Sequence, residues 1–131
     1  MNKQLESVKE FHRTYNQPIL STPQIPSLER CKLRYDLIAE ELKEFKDAYE
    51  AGDIVEVADA LSDLTYVVNG SYLEFGLGDL QEELFDEVQR SNMSKLDADG
   101  NVLYHPNGKV KKSDLFSEPD LKSIIDRLNN I

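Results

Sequence analysis

The sequence has a single cysteine, no tryptophan and no long apolar run. Cys31 has no cysteine partner for a disulfide within the chain, so we expect a reducing, cytoplasmic compartment. The most apolar uncharged segment, residues 64–73, is too short for a bilayer, which takes about 20 apolar residues to cross. The first residues also lack the apolar centre of a signal peptide. We therefore expect neither secretion nor a membrane role.

Basic residues are scarce as well. The 131 residues contain 15 lysines and arginines against 25 aspartates and glutamates, which gives a net charge of −10. Because a protein that binds the phosphate backbone of a nucleic acid needs an excess of positive charge, we expect no nucleic-acid partner. A hydrophobic fraction of 40% allows a folded core. We predict one domain over residues 1–131, with a helical core at about 1–95 and a C-terminal arm at about 96–131.

Helical periodicity dominates the first part of the chain, with apolar residues recurring at spacings of three and four. The predicted helices cover residues 5–15, 28–51, 54–75, 79–91 and a short segment after Pro119. Ser27 and Asp53 are the predicted N-caps of the two long helices, and Gly52 is predicted to end the first of them. Between the last two, Asp-Gly and Asn-Gly turns flank short extended stretches, which indicates a small hairpin or ordered loop. The predicted fold is all-α: an antiparallel bundle of four to five helices with a short irregular or hairpin C-terminal arm.

Each of the two long helices has an apolar surface, and these surfaces matter for the oligomeric state. A stripe on the first is predicted to be core, and it comprises Leu28, Cys31, Tyr35, Ile38, Leu42, Phe45 and Tyr49. The second, residues 54–75, is apolar around much of its circumference. Because so small a chain has difficulty covering that surface from within, we predict a helical homo-oligomer.

Acidic residues concentrate between positions 36 and 63. Glu41 and Glu44 share one face of the first long helix, while Glu56, Asp59 and Asp63 share a face of the second. The connection between these helices is short, so they should run antiparallel as neighbours. Residues equidistant from the turn then lie opposite each other, which pairs Glu44 with Asp59 and Glu41 with Asp63. We predict that these carboxylates converge on one strip.

Carboxylates that converge repel one another, and a hard divalent cation with oxygen ligands removes the conflict. Neither long helix contains histidine, which disfavours zinc and di-iron sites and leaves Mg²⁺, or Mn²⁺ as a substitute. Magnesium on carboxylates usually works with substrate phosphates, so a nucleoside triphosphate is the expected substrate. Solvated acidic helix faces without a metal are the plainer alternative. Candidate basic partners for the phosphates are Arg34, Lys95, Lys109, Lys111 and Lys112.

Residues 34–70 closely resemble the all-α nucleoside triphosphate pyrophosphohydrolases, the MazG-like and phosphoribosyl-ATP pyrophosphohydrolase-like superfamily. The resemblance rests on Glu-Glu-x-x-Glu at residues 40–44, followed after a spacer by Glu-x-x-Asp at residues 56–59. Weaker matches lie at Phe11-His12, at residues 90–95 and at residues 108–111.

The resemblance implies hydrolysis of a nucleoside or deoxynucleoside triphosphate to the monophosphate and pyrophosphate. It also implies roles for individual residues. Glu41, Glu44, Glu56 and Asp59 would bind Mg²⁺, and Glu40 would orient or deprotonate the attacking water. Asp63 is added as a metal-site candidate by the hairpin geometry. Asn92, Lys95, Lys109 and Lys111 would close over the phosphates. Family members form homodimers or dimer-of-dimers tetramers.

Several alternatives stay open at this point. Phosphoribosyl-ATP, an intermediate of histidine biosynthesis, is a second candidate substrate, and a non-catalytic acidic dimerisation or interaction module is a candidate of another class. Either house-cleaning or nucleotide-pool control fits the triphosphate reading. Residues that can contact a nucleobase, each also ordinary in a helix or core, are His12, Asn16, Tyr66, Asn69 and Tyr72.

Overall fold

A computed structural model describes residues 1–129 of the chain, and within them the fold is helical. The helices are α1 (Lys3–Thr14), α2 (Leu28–Glu50), α3 (Ile54–Glu74), α4 (Gln81–Met93) and α5 (Leu121–Asn129), with a 3₁₀ turn at Gly78–Leu80. Strands β1 (Leu103–Tyr104) and β2 (Val110–Lys111) pair antiparallel. The all-α prediction and the C-terminal hairpin are confirmed.

The chain divides into two compact units, Met1–Asp79 and Leu80–Ile131. A single domain over the whole chain stays a prediction. Within the described residues, no helix combines the length and the apolar character needed to cross a membrane. The first unit contains the carboxylates singled out by the sequence, and its construction therefore decides the geometry of the candidate site.

Short capping contacts set the boundaries of the two long helices. The Ser27 hydroxyl accepts a hydrogen bond from the Arg30 amide at 3.3 Å and begins α2. Asp53 accepts from the amides of Val55 and Glu56, each at 3.1 Å, and begins α3. Between them Gly52 has a φ of +69°, a left-handed conformation that suits glycine and reverses the chain. These caps agree with the sequence prediction.

Helix α3 lies at the centre of the first unit and packs against both α1 and α2. Leu5, Val8 and Leu73 form its buried core, with Ile19 and Tyr72 packed against them. The proline-rich linker that follows α1 runs past the end of α3, where the Leu20 amide donates to the Leu73 carbonyl at 2.9 Å. A side chain at Gly76 would collide with the Thr22 carbonyl 1.9 Å away, so this passage requires glycine.

A buried ion cluster fastens α2 to α3 at the ends far from the Gly52 turn. Glu74 is 0% exposed, and its carboxylate accepts from Arg30 at 2.8 and 2.9 Å and from Arg34 at 3.0 Å. Arg34 also donates to the Val67 carbonyl at 2.6 Å. Because breaking a buried pair leaves an uncompensated charge, at a cost of about 3–5 kcal/mol, the cluster holds the two helices in register.

The predicted core stripe of α2 is wrong for several of its members. Leu28 and Tyr35 are 87% and 71% exposed, and Leu42 and Tyr49 are also exposed. The residues of α2 that are buried are Arg34 and Ala48, which lie on a different face. Helix α3 therefore covers a narrower band of α2 than the periodicity suggested, and the outer edge of the apolar stripe faces solvent.

Helix α4 begins at Gln81, whereas the sequence predicted a start near Asp79, because Gly78–Leu80 form the 3₁₀ turn. The hairpin of the second unit pairs Leu103 with Lys111 and Tyr104 with Val110. An ion pair between Arg127 of α5 and Glu83 of α4 connects the two helices of this unit.

Candidate metal centre

The antiparallel pairing of α2 and α3 brings three carboxylates together. Glu41 and Glu44, one turn apart on α2, each offer an oxygen that lies within 4.8 Å of an oxygen of Asp63 on α3. The predicted pairing of Glu41 with Asp63 across the hairpin is thus confirmed. The cluster contains only oxygen donors, without histidine or cysteine.

Glu41 is the most strongly perturbed member of this cluster. Its Oε2 atom is buried and has no hydrogen-bond partner among the described residues. Burial, followed by the neighbouring carboxylates of Glu44 and Asp63, raises the pKa of Glu41 to about 7. The pKa of Asp63 is also raised, first by burial and then by Asp59 and Glu44. A negative charge at this position has no compensating group supplied by the described chain.

This donor set fits a hard divalent cation. Mg²⁺ and Mn²⁺ prefer carboxylate oxygens, whereas zinc favours histidine and cysteine ligands. An ion among Glu41, Glu44 and Asp63 would compensate the repulsion and would give the orphaned Glu41 oxygen a partner. Glu41, Glu44 and Asp63 are therefore the residues that would hold the ion.

The remaining predicted ligands lie in an adjoining cleft. Glu56 and Asp59 line a cavity of about 480 Å³ together with Glu44, and neither belongs to the cluster of three. Glu44 therefore connects the cluster with the cleft. Asp47 and Asp53 also line this cavity, which makes it strongly acidic. Metal-binding roles for all five predicted ligands stay predictions.

Glu40, the predicted catalytic residue, is exposed on α2 next to Glu41. Two other predicted site residues are buried away from solvent. Arg34 directs its guanidinium to Glu74, Ser71 and the Val67 carbonyl. The Nδ1 atom of His12 lies 3.0 Å from the Pro18 carbonyl oxygen. Their predicted contacts with substrate stay untested, while the structure gives both a place in the packing of the first unit.

The other predicted substrate-binding residues belong to the second unit. Asn92 is exposed on α4, and Lys95 is half-buried just after that helix. Lys109 and Lys111 are exposed, the first in the hairpin turn and the second on β2. Their predicted role over the phosphates stays a prediction.

Sequence reasoning missed Glu74, the carboxylate that organises the buried ion cluster. A signal was present, since Glu74 is the sole charged residue between positions 64 and 78. A charge in so apolar a segment usually requires a buried partner. That inference would have directed attention to the arginines of α2.

The family model of phosphoribosyl-ATP pyrophosphohydrolase matches residues 8–92, which include α2, α3 and all the acidic residues of the candidate site. The chain belongs to the phosphoribosyl-ATP pyrophosphohydrolase family. It is therefore a member of the MazG-like all-α pyrophosphohydrolase superfamily, as the resemblance of the sequence implied.

A curated relative is Uncharacterized protein L479 of Acanthamoeba polyphaga mimivirus. The two sequences are 28% identical over an alignment of 131 positions, and the aligned part covers 95% of this chain and 49% of the viral protein. The chain thus spans about half the length of the curated relative that it matches.

Replacing Glu41 by glutamine should stabilise the metal-free protein in a pH-dependent way. Glutamate ionises near pH 4.5 in the unfolded chain and near pH 7 in the fold, so ionisation costs folding free energy as the pH rises through this interval. Glu41→Gln removes the cost. We expect a gain on the order of 1 kcal/mol at pH 8 and little gain at pH 5, measured by urea unfolding with a chelator present.

Glu50→Gln, at an exposed position on the same helix, is the matched control and should not show this pH-dependent gain. An equal effect of Glu41→Gln at both pH values would contradict the account of the site.

Proposed function

We propose that the protein hydrolyses a nucleoside or deoxynucleoside triphosphate to the monophosphate and pyrophosphate, with Mg²⁺ or Mn²⁺ as cofactor. The observation that carries the proposal is a buried Glu41 oxygen that has no hydrogen-bond partner within residues 1–129 and lies near the carboxylates of Glu44 and Asp63. Family membership supports pyrophosphohydrolase activity in general. The oxygen ligands of the cluster support a hard divalent cation as the cofactor.

In this proposal, different residues of the chain bind the metal ion and accept the proton of the attacking water. Glu41, Glu44 and Asp63 would hold the ion, which would offset phosphate charge and lower the pKa of a bound water. Exposed Glu40 follows Ala39 and directly precedes Glu41 on α2, and in this proposal it accepts the proton of the attacking water. Water adds at the α-phosphorus, the bond to the bridging oxygen breaks, and pyrophosphate leaves.

The acidic cleft that contains Glu56 and Asp59 has a related use. Without cations, the carboxylates of this cleft would repel a triphosphate. They are therefore proposed as ligands for further metal ions that enter with the substrate. Asn92, Lys95, Lys109 and Lys111 are the proposed contacts for the outer phosphates. Half-buried Cys31, with no disulfide partner in the sequence, supports a cytoplasmic location.

Phosphoribosyl-ATP is the second candidate substrate, and the description of the matching family favours it. The same bond breaks, with water as the second reactant and pyrophosphate as the common product. The choice between the two substrates therefore depends on the group attached to the α-phosphate.

The direct test is pyrophosphate release from a panel of ribonucleotide and deoxyribonucleotide triphosphates and phosphoribosyl-ATP, with Mg²⁺ present. We expect release from at least one triphosphate, reduced by at least about 100-fold in Glu41→Gln and Asp63→Asn, because each removes a metal ligand. Asp36→Asn, at an exposed position of α2, should retain full activity.

Strong preference for phosphoribosyl-ATP would select the second candidate. Release from no compound would contradict both and would favour the non-catalytic acidic module.

We further propose that two chains pair through the exposed part of the α2 stripe. Leu28, Tyr35, Leu42 and Tyr49 recur every seven residues, the repeat by which helices pack along a shared seam. All four are exposed on the single chain. Large contiguous exposed apolar surfaces are uncommon on monomers, and a second copy would offer the same stripe in return.

Sedimentation analysis should find the wild-type protein as a dimer or a dimer of dimers. Tyr35→Glu combined with Leu42→Glu should convert it to monomer, because both charges would be buried in the seam. Asp36→Lys, which changes a charge on another face of α2, is the control and should leave the assembly intact. A wild-type monomer at micromolar concentration would contradict the proposal.

A further inference from the structure

Arg34 of α2 lies against the single glycine of α3. A Cβ atom at Gly70 would overlap Nη2 of the Arg34 guanidinium and would lie 3.0 Å from its Cζ, so the guanidinium occupies the space that a side chain would fill. Gly70 is buried, and every other residue of Ile54–Glu74 carries a side chain. Glycine weakens a helix interior relative to alanine, and the close approach of Arg34 supplies a packing reason for its presence.

The guanidinium is fixed at this position by three acceptors of α3. Its Nη2 donates to the Val67 carbonyl at 2.6 Å, its Nε to the Ser71 hydroxyl at 3.2 Å and its Nη1 to the Glu74 carboxylate at 3.0 Å. Arg34 is 6% exposed, so a donor that loses its acceptor would remain unpaired at a cost in free energy. The acceptors lie on both sides of Gly70 along α3, and a movement of α3 along its axis would break these hydrogen bonds.

The same helix register governs the metal cluster. Gly70 lies as far after Gly52 as Arg34 lies before it, and Asp63 and Glu41 are likewise equidistant from this glycine. Arg34 and Glu41 share a face of α2, about two turns apart. The same spacing separates Asp63 from Gly70 on α3. A slip of α3 by one turn would bring a side chain against Arg34 and would move Asp63 away from Glu41.

One of the three clustered carboxylates depends on this register. Glu41 and Glu44 both belong to α2, so their separation is set within one helix. Asp63 comes from α3, and its distance from the other two changes with any movement of α3 along α2. Whatever fixes the register therefore acts on the cluster through Asp63.

We propose that Arg34 and Gly70 are positioning residues that fix the register of α2 against α3. The guanidinium seated at Gly70 thereby brings Asp63 to the two carboxylates of α2. Arg34 then supports metal binding from two turns away and contacts neither the ion nor the substrate. This inference rests on the metal of the proposed function, and it does not depend on the reaction that the metal supports.

Gly70→Ala tests the contact, because it adds a Cβ atom where the guanidinium lies while it favours the helix itself. Calorimetric titration of the metal-free variant with Mn²⁺ should show binding at least about fivefold weaker than in the wild-type protein, since disturbing the support of a ligand lowers metal affinity. Thr65→Ala, at an exposed position of the same helix, is the matched control and should bind Mn²⁺ like the wild-type protein.

A double variant separates positioning from general destabilisation. In Asp63→Asn, the remaining carboxylates of the cluster both lie on α2, so the register no longer affects their separation. Gly70→Ala should therefore weaken Mn²⁺ binding by less than about twofold in this background. A further loss as large as in the protein with Asp63 would overturn the proposal, because the effect would then bypass Asp63.

Arg34→Lys is the second variant. It is needed because a Cβ atom at Gly70 would also lie 3.0 Å from Nε2 of His12, and because Gly70→Ala can fail to fold. Lysine keeps a positive charge beside Glu74 but lacks the planar fork that reaches three acceptors, so Mn²⁺ binding should weaken at least about threefold. Unchanged affinity in folded Gly70→Ala, or in Arg34→Lys if the alanine variant does not fold, would overturn the proposal.

An NMR measurement on ¹⁵N-labelled, metal-free protein follows the guanidinium itself. The Nε–H of Arg34 donates to Ser71 and is expected to exchange slowly with water in the wild-type protein. In Gly70→Ala its resonance should shift and exchange at least about tenfold faster, because the added Cβ atom displaces the group. An unchanged resonance would contradict the displacement that the proposal requires.

These measurements need no nucleotide, so they separate this inference from the proposed reaction. Mn²⁺ binding that weakens in Gly70→Ala through Asp63 supports the positioning role even if no nucleotide is hydrolysed. Pyrophosphate release together with unchanged Mn²⁺ affinity in Gly70→Ala rejects the positioning role and leaves the proposed function in place. Absence of saturable Mn²⁺ binding by the wild-type protein rejects the positioning role together with the metal.

Discussion

Repulsion among three carboxylates is the constraint on which the candidate site depends. Glu41, Glu44 and Asp63 lie within 4.8 Å of one another although like charges favour separation. The helices cannot move apart easily, because the Asp53-capped turn joins them at one end and the buried Glu74 cluster joins them at the other. The fold thus keeps three mutually repelling carboxylates close together, and a bound divalent cation would reduce this repulsion.

The chemistry of the first unit changes from one side of α3 to the other. The side shared with α2 is acidic, with Glu44, Glu56 and Asp59 lining its cleft, whereas the groove shared with α1 is lined by Lys3 and by uncharged side chains. The carboxylates that could bind a cation therefore lie on one side of α3.

Much of this architecture was predictable from local rules. Ser27 and Asp53 cap their helices as expected, and antiparallel spacing alone placed Glu41 opposite Asp63. Long-range pairing could not be predicted from local rules. Arg34 and Glu74 are 40 positions apart in the chain, and no periodicity of the sequence indicates their contact. The prediction that the apolar stripe of α2 is core was wrong for its exposed members, because periodicity identifies an apolar face without identifying what covers it.

Calorimetric titration of the metal-free protein with Mn²⁺ tests the central claim most directly. The account predicts saturable binding that weakens at least about tenfold in Asp63→Asn, because this change removes one of three oxygen ligands. Asp36→Asn, which alters an exposed aspartate of α2, should bind like the wild-type protein. Absence of saturable binding by the folded wild-type protein, or equal binding by Asp63→Asn, would contradict the account.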